Sequence, residues 1–421
     1  MYKPISVSLL DLFSVYSKLM DMMTPDLQNH HTEVAYIATT LATEAGLTLA
    51  AQKQINYASL LHDIGAFTKG ERLELLKFDL AQFGRHAEIA YRLLGATKGF
   101  GSMAELVRYH HIRWDEGRGR EAGQAAVPLG SHIIHLADRI SVLIDKSKPI
   151  LFQVDEICRR VRSEQNRMFN PELVDIFFSI ASKEYFWLNL VSDDRTNLFS
   201  PQQIMLEDYA DIENMLDIAQ MLAYGLDFRS EYTASHSIGV AAVAQKLGQL
   251  FGVTPEELIL LHLAGLFHDF GKLLIPIETI NKPVRLTEEE MILIKQHPYF
   301  TYTAMNNVAG LEDLKEISSF HHEKLDGTGY PFHLKAEDMS FLVQLMCVSD
   351  IFTALAEDRP YRTAMSKDQI CLILQEMAAA GKINAAIVQM CIDNFNAIKT
   401  YSLCQKELAR IDYERMKKLL Y

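Results

Sequence analysis

The sequence predicts an all-α protein built from two tandem helical domains. Three observations support this prediction: apolar residues recur at helical spacing over long stretches, alternating strand patterns are nearly absent, and one set of histidines and aspartates occurs in both halves of the chain. Duplication of a single helical domain explains the third observation better than chance clustering does.

Helical periodicity is clear at four places along the chain. The N-terminal stretch MYKPISVSLLDLFSVYSKLM predicts a helix that faces a core. LVDIFFSIASKEYFWLNL (173–190), LEDYADIENMLDIAQMLAYGL (206–226) and HSIGVAAVAQKLGQLFG (236–252) each predict an amphipathic or buried helix.

The length of 421 residues suits two or three domains that each bury a core. The polar, turn-rich segment SDDRTNLFSPQQ (192–203) marks the boundary between them. The predicted domains are therefore 1–195 and 196–421, with a connecting helix starting near Ile204.

Composition excludes several classes of protein. A formal net charge of −13 argues against a binder of nucleic-acid polymers, which would present a basic surface. No apolar run approaches the length of a membrane span, and the N-terminus has no signal-peptide pattern. The five cysteines are scattered without close pairs, which predicts a reducing, cytoplasmic environment.

The repeated polar set is defined by its spacing. In each half, 32 residues separate the first histidine from a His-Asp pair, and 24 residues separate a later histidine from a His-His pair. The words SLLHDIG and GLFHDFG match around the His-Asp pairs. The set comprises His30, His62, Asp63, His86, His110, His111 and Asp138 in the first half, and His236, His268, Asp269, His297, His321, His322 and Asp350 in the second.

Histidine with carboxylate is a ligand combination that suits iron, manganese, zinc and nickel. Five histidines and two aspartates in each half indicate two metals rather than one. Two ions about 3.5–4 Å apart can clamp a phosphate during hydrolysis, so the pattern indicates metal-assisted phosphoester hydrolysis. Four of the five histidines outside the set, His132, His135, His262 and His333, are predicted to be ordinary core or surface residues.

Residues 230–365 resemble an HD-GYP domain, the branch of the HD phosphohydrolases that degrades cyclic dinucleotides. The matching words are YTASHS, HDFGK, the QHP around His297, HHEKLDGTGYP (321–331) and SDIFTALAEDRPYR. The resemblance covers roughly the second half, whereas the first half resembles only the wider HD superfamily. Two tandem HD-type domains are therefore expected.

The resemblance implies a two-metal centre. One ion would be held by His236, His268, Asp269 and Asp350, and Asp269 would bridge to a second ion held by His297, His321 and His322. A third ion is not expected, because Tyr232 stands where some family members have glutamate and Glu231 is one residue out of register. Iron or manganese is the expected metal, with zinc, nickel and magnesium left open.

The resemblance also implies catalytic and substrate-binding residues. Asp269 and Lys272 would be catalytic, with the Lys272 ammonium against a phosphate oxygen; the alternative for Lys272 is a solvated surface lysine. Arg359, Arg362 and Tyr330 would contact substrate, although both arginines could instead pair with Glu357 or Asp358, and Tyr330 could instead face a partner protein. Glu323 and Asp326 are expected to orient His321 or His322.

The first half keeps a histidine or aspartate at every ligand position but lacks several residues that flank those positions in the second half. Ala66 replaces the lysine, and HHIRWDEGRG lacks the glutamate after the histidine pair and the Tyr-Pro. The hypothesis is a degenerate domain that still binds metal and serves a regulatory or dimerising role. The rival hypotheses are a second active site of different specificity and histidines that only pack the core.

The predicted function is hydrolysis of cyclic di-GMP or 3′3′-cGAMP to the linear dinucleotide. The alternative from another class is a weakly catalytic signalling adaptor that binds nucleotide and protein partners; a nucleotide phosphohydrolase of the broader HD group is a third reading. A homodimer and a signalling partner at the Gly-Tyr-Pro loop are also predicted.

Overall fold

The computed structural model describes residues 7–23, 28–66, 69–78, 85–115, 121–122, 125–192, 209–210, 212–227, 236–306, 308–358 and 362–418. The chain divides into two compact units, Ser8–Tyr209 and Ala210–Leu419. The predicted domain boundary at residues 195/196 lies outside the described residues and stays a prediction, as does the start of a helix near Ile204.

The first unit is helical. Its helices are α1 (Leu9–Met22), α2 (His30–Glu44), α3 (Leu49–Leu61), α4 (Lys69–Leu75), α5 (Arg85–Ala96), α6 (Gly101–Arg108), α7 (Leu129–Val142), α8 (Val154–Ser163), α9 (Pro171–Ala181) and α10 (Glu184–Leu190), with a 3-10 turn at Ile150–Phe152. Two short strands, Glu121–Ala122 and Ala125–Ala126, pair antiparallel. Helices α2, α3 and α7 pack together. His30 begins α2, Asp138 lies within α7, and the His62-Asp63 pair directly follows α3, and all four residues are buried.

The second unit repeats this plan. Its helices are α11 (Ile212–Asp227), α12 (His236–Phe251), α13 (Pro255–Phe267), α14 (Ile277–Ile280), α15 (Glu288–Ile294), α16 (His297–Met305), α17 (Glu312–Ser319), α18 (Phe341–Ala356), α19 (Lys367–Ala379), α20 (Ala385–Asp393) and α21 (Phe395–Lys418), with 3-10 turns at Phe270–Leu274 and Ala336–Asp338. Two-residue strands, Val7–Ser8 and Tyr209–Ala210, complete the described elements.

Local sequence explains where α13 begins and how closely it packs on α12. Thr254 and Glu257 form a capping box at the start of α13, and Pro255 occupies the first helical position. Gly265 lets α13 lie directly against α12, because a Cβ there would come within 2.4 Å of the Ala241 Cα. This close packing places the C-terminal end of α13 beside the second turn of α12.

The all-α prediction is confirmed, and the N-terminal helix is present as α1. The prediction of one helix over 173–190 is wrong, since the structure has α9 and α10 with a break at Ser182 and Lys183. Lys183 is extended, and the Trp187 indole N–H donates to the Ala181 carbonyl that the helix end leaves free.

Among the described residues, no helix combines the length and apolar character needed to cross a membrane.

Candidate metal centre

The seven predicted ligands of the second unit come together because each lies at a helix end or on one central helix. His236 begins α12 and His297 begins α16, while the pairs His268-Asp269 and His321-His322 follow α13 and α17. Asp350 lies within α18. Residues more than 110 positions apart in sequence thus converge on one buried place.

The convergent residues form two ligand groups. The first contains His236, His268 and Asp350, and the second contains His297, His321 and His322. In the first, His236 Nε2 is 3.3 Å from Asp350 Oδ1; in the second, His297 Nε2 is 3.1 Å from His321 Nε2. Ring nitrogens that face each other at this distance are suited to share a cation.

Asp269 connects the two groups. Its Oδ2 lies 3.2 Å from His268 Nε2, and its Oδ1 lies 3.3 Å from His297 Nε2. One carboxylate oxygen therefore faces each group, which is the arrangement of a bridging ligand.

Backbone carbonyls orient three of the imidazoles. The Nδ1–H groups of His268, His297 and His321 donate to carbonyls three residues earlier, at 2.7, 2.7 and 2.6 Å. Each of these bonds fixes the orientation of the ring and aims Nε2 into the centre.

Burial sets the charge state of the ligands. It lowers the pKa of His297 and His321 well below the usual histidine value and that of His322 to about 4, so these rings are neutral at pH 7. Burial alone would raise the pKa of Asp269, but His268 and Lys272 hold it well below the usual range. Neutral imidazoles and ionised carboxylates are the forms that bind metal.

The donor set fits divalent cations. His268 Nε2 and Asp269 Oδ1 are buried and make no hydrogen bond of acceptable geometry within the described part of the protein. A buried polar atom without a partner costs free energy, and a bound cation would remove that cost. The ligands therefore form a candidate centre for two metals.

The first unit assembles the equivalent residues in the same way. His62 Nε2 and His86 Nε2 both lie 3.4 Å from Asp63 carboxylate oxygens, and His30 Nε2 lies 3.4 Å from Asp138 Oδ1. The repeat in sequence is thus a repeat in geometry.

Family models match both units. A model described as "HD domain" matches residues 27–143, and another with the same description matches residues 213–387, so the two together cover more than two thirds of the chain. The chain belongs to the HD-domain family. Each compact unit contains one HD domain, and each HD domain contains one of the two sets of candidate ligands.

Relatives of this HD-domain chain include curated enzymes. The 3′3′-cGAMP-specific phosphodiesterase 1 of Vibrio cholerae serotype O1 is 27% identical, over 92% of this chain and 92% of the relative. A cyclic di-GMP phosphodiesterase of Pseudomonas aeruginosa is 38% identical, over 31% of this chain and 32% of the relative. The crystal structure of a cyclic GMP-AMP-specific phosphodiesterase of V. cholerae aligns with a TM-score of 0.62 at 20% identity, covering 93% of this chain and 98% of that one, and so shows the shared fold.

The glycine that follows the His-Asp pair is required in both HD domains. A Cβ at Gly271 would lie 2.0 Å from the His297 carbonyl oxygen, and a Cβ at Gly65 would lie 2.1 Å from the His86 carbonyl oxygen. Only glycine lets the chain pass so close to the next histidine-bearing helix. The glycine of the HDFG and HDIG words thus keeps two ligand-bearing segments together.

The predicted catalytic and substrate-binding residues differ in what they contact. The Lys272 ammonium lies 2.5 Å from Asp269 Oδ2 at the edge of the centre, and its side chain is 16% exposed. The Tyr330 ring packs on His322, with ring centroids 4.9 Å apart. The Arg362 guanidinium donates to the carbonyls of Ala354 and Leu355 at the end of α18. Arg359 and the Tyr232 and Glu231 positions lie outside the described residues.

Glu323 and Asp326 do not orient the histidine pair, so that expectation is wrong. The Glu323 carboxylate accepts the backbone N–H groups of Phe332 and Leu334, and Asp326 accepts from the backbone and hydroxyl of Thr328. Gly329 lies against the Glu323 backbone, where a Cβ would come within 2.4 Å of the Glu323 Cα. These contacts fix the conformation of the Gly-Tyr-Pro loop. The loop in turn holds the Tyr330 ring against His322.

Glu357 is a positioning residue that the sequence analysis missed. Its Oε2 accepts from His236 Nδ1 at 2.8 Å, and its Oε1 accepts from the Lys406 ammonium of α21 at 2.6 Å. The bond directs His236 Nε2 towards Asp350. The sequence suggests Glu357 only as a partner for an arginine, because 121 residues separate it from His236.

We expect Glu357→Ala to weaken metal binding at the second HD domain roughly 10- to 100-fold, because His236 loses the carboxylate that orients it. Competition with a chelator measures the affinity. Glu357→Gln keeps an acceptor and should recover most of it, while Glu376→Ala, at an exposed position, serves as the matched control. An unchanged affinity in Glu357→Ala would show that the helix end alone orients His236.

Proposed function

We propose that the second HD domain is a metal-dependent phosphodiesterase that hydrolyses a cyclic dinucleotide to the linear dinucleotide. The observation that carries the proposal is the placement of Asp269, whose two oxygens each face one of the two ligand groups. This is the geometry expected of a centre that binds two cations and one phosphodiester between them.

We propose that iron or manganese fills the centre, with zinc, nickel and magnesium as the ions to compare. His236, His268, Asp269 and Asp350 would hold one ion, and Asp269, His297, His321 and His322 the other. When bound, two divalent ions supply positive charge against phosphate oxygens and make water more acidic.

Lys272 supplies the remaining positive charge. Its ammonium contacts Asp269 Oδ2 and stays partly exposed, so it can both hold the bridging carboxylate and donate to a phosphate oxygen. A fixed ammonium at that place stabilises the charge that accumulates as the phosphodiester is attacked. In the first HD domain the equivalent residue is the buried Ala66, which cannot do this.

The substrate proposed first is 3′3′-cGAMP, and cyclic di-GMP is second. A curated relative aligned over 92% of this chain carries the first name, whereas the cyclic di-GMP phosphodiesterase of P. aeruginosa aligns with 31% of it. The half-buried Tyr330, with the Lys295 ammonium 5.5 Å from its ring centroid, offers an aromatic and cationic edge for a nucleotide.

The deciding experiment measures hydrolysis of both cyclic dinucleotides together with metal content on one preparation. We expect turnover with iron or manganese, lost in His321→Ala and within a few-fold of normal in His110→Ala. Bound metal without turnover of either substrate would instead support the signalling adaptor. Activity lost in His110→Ala with intact folding would show that the first HD domain contributes to catalysis.

We further propose a regulatory or dimerising role for the first HD domain, a cytoplasmic location, and a homodimer or a signalling partner at the Gly-Tyr-Pro loop. The five cysteines are free thiols, which supports a reducing compartment. Thr328 at the tip of the loop is exposed, so the loop is available for protein contacts. Sedimentation of the purified chain tests the dimer.

A further inference from the structure

We propose that the first HD domain holds a single structural metal ion, bound by Asp63, His86, His110 and His111, with Zn²⁺ as the preferred ion. One ligand atom from each of these four residues lies within 4.8 Å of every other. Three imidazoles and one carboxylate make a complete four-coordinate set. The inference concerns the domain that lacks the lysine and does not depend on the activity proposed for the second domain.

The distances fit a tetrahedral ion. Metal–ligand bonds of about 2.0–2.1 Å around a tetrahedral zinc separate the ligand atoms by roughly 3.3 Å. His86 Nε2 lies 3.0 Å from His111 Nε2 and 3.4 Å from Asp63 Oδ1, and His110 Nε2 lies 3.8 Å from Asp63 Oδ1. Small side-chain movements would bring these atoms to the ideal separation.

The site is closed, unlike its counterpart. The side chains of Asp63, His86, His110 and His111 are between 0% and 6% exposed. In the second domain, His322 is 27% exposed and Lys272 is 16% exposed. Catalytic metal sites keep a position open to water or substrate, whereas structural sites are closed by four protein ligands. The first domain therefore has the structural kind of site.

Buried polar atoms in this cluster lack partners. Asp63 Oδ1 and His110 Nε2 are buried, and neither makes a hydrogen bond of acceptable geometry to the described residues. The Nδ1–H of His110 donates to the Val107 carbonyl, so its Nε2 carries a lone pair that points into the cluster. A cation at this place would satisfy both atoms.

Arg139 limits the domain to one ion. The guanidinium donates to Asp138 Oδ2 at 2.7 and 3.2 Å and to the Leu75 carbonyl at 3.0 Å, and it is fully buried. Asp138 is the counterpart of Asp350 and lies beside His30, outside the proposed four-ligand set. Because Arg139 pairs with it, the negative charge of Asp138 is already balanced. In the second domain the corresponding neighbour is Ile351, and the fixed cation, Lys272, contacts the bridging aspartate instead.

The test counts metal per chain after dialysis against a weak chelator. We expect His86→Gln/His110→Gln in the full-length chain to lose one equivalent relative to wild type. His132→Gln, a buried histidine of the same domain, is the matched control and should lose none. An unchanged count in the double variant overturns the proposal, and a loss of two equivalents overturns the single-ion assignment.

A second measurement keeps all four proposed ligands of the first domain and so does not depend on whether His86→Gln/His110→Gln folds. The variant His268→Gln/His297→Gln removes one histidine from each of the two ligand groups of the second domain, and Co²⁺ is then added to the chain. Tetrahedral Co²⁺ absorbs visible light much more strongly than five- or six-coordinate Co²⁺, so a strong band at one equivalent is the expected result. Weak absorption alone would overturn the tetrahedral site, and this outcome is independent of any loss of hydrolysis in the same variant.

Discussion

Asp269→Asn is expected to lower the rate of cyclic dinucleotide hydrolysis by roughly 10²- to 10³-fold, because the two cations that would stabilise the transition-state charge lose their shared carboxylate. Asparagine keeps the shape of the side chain but loses the charge and one of the two oxygens that face the ligand groups. The loss of negative charge should also release metal. Initial rates and metal content measured on one preparation check both effects.

The control for this variant is Asp393→Asn, at an exposed position of the same unit, where Asp393 accepts a hydrogen bond from Gln389. It should retain the rate and metal content of the wild-type chain. Full metal occupancy with normal turnover in Asp269→Asn would contradict the bridging role and with it the two-metal centre.

Gly271→Ala is the second large effect that we expect. The added methyl group would lie 2.0 Å from the His297 carbonyl oxygen, and the Gly271 N–H, which donates to Thr301, would be pushed away with it. The collision must displace α16 and hence His297. Displacements of about 1 Å at an active site can cost 10²-fold in rate, and overpacking of this kind costs about 1–3 kcal/mol of unfolding free energy. Hydrolysis rates and denaturant unfolding measure the two effects.

Gly101→Ala is the matched comparison, because a Cβ at Gly101 has no atom within 4 Å. Its unfolding free energy should stay within about 0.5 kcal/mol of wild type, as for surface substitutions that disturb no special feature. If Gly271→Ala retained the wild-type rate, the close approach of the two segments would not be needed to place His297.

The candidate metal ligands could be predicted because they occur in short sequence motifs at the ends of helices or within them. A histidine at the start of a helix or a His-Asp pair after one keeps its spacing when the domain is duplicated, so the repeat revealed all seven positions in each half. The glycine after His-Asp is part of the same sequence motifs, but the motifs do not explain why glycine is required there. That reason is the His297 carbonyl, which only the packed structure brings within contact.

Supporting contacts could not be predicted, because they depend on side chains distant in sequence. Glu323 stands next to the histidine pair, and neighbours in sequence suggested that it orients them; instead it turns to the backbone of residues 332 and 334. Glu357, far along the chain, is the carboxylate that orients a ligand, His236.

The helical class, the duplication and the identities of the candidate ligands can be predicted from the sequence, because they follow from periodicity and spacing along the chain. Only the tertiary structure reveals that Arg139 balances Asp138 in the first domain while Lys272 contacts Asp269 in the second. The same holds for Glu357, whose carboxylate contacts His236. The physical reason is that short-range contacts of charged groups depend on distances of a few ångströms, and packing of the helices sets those distances.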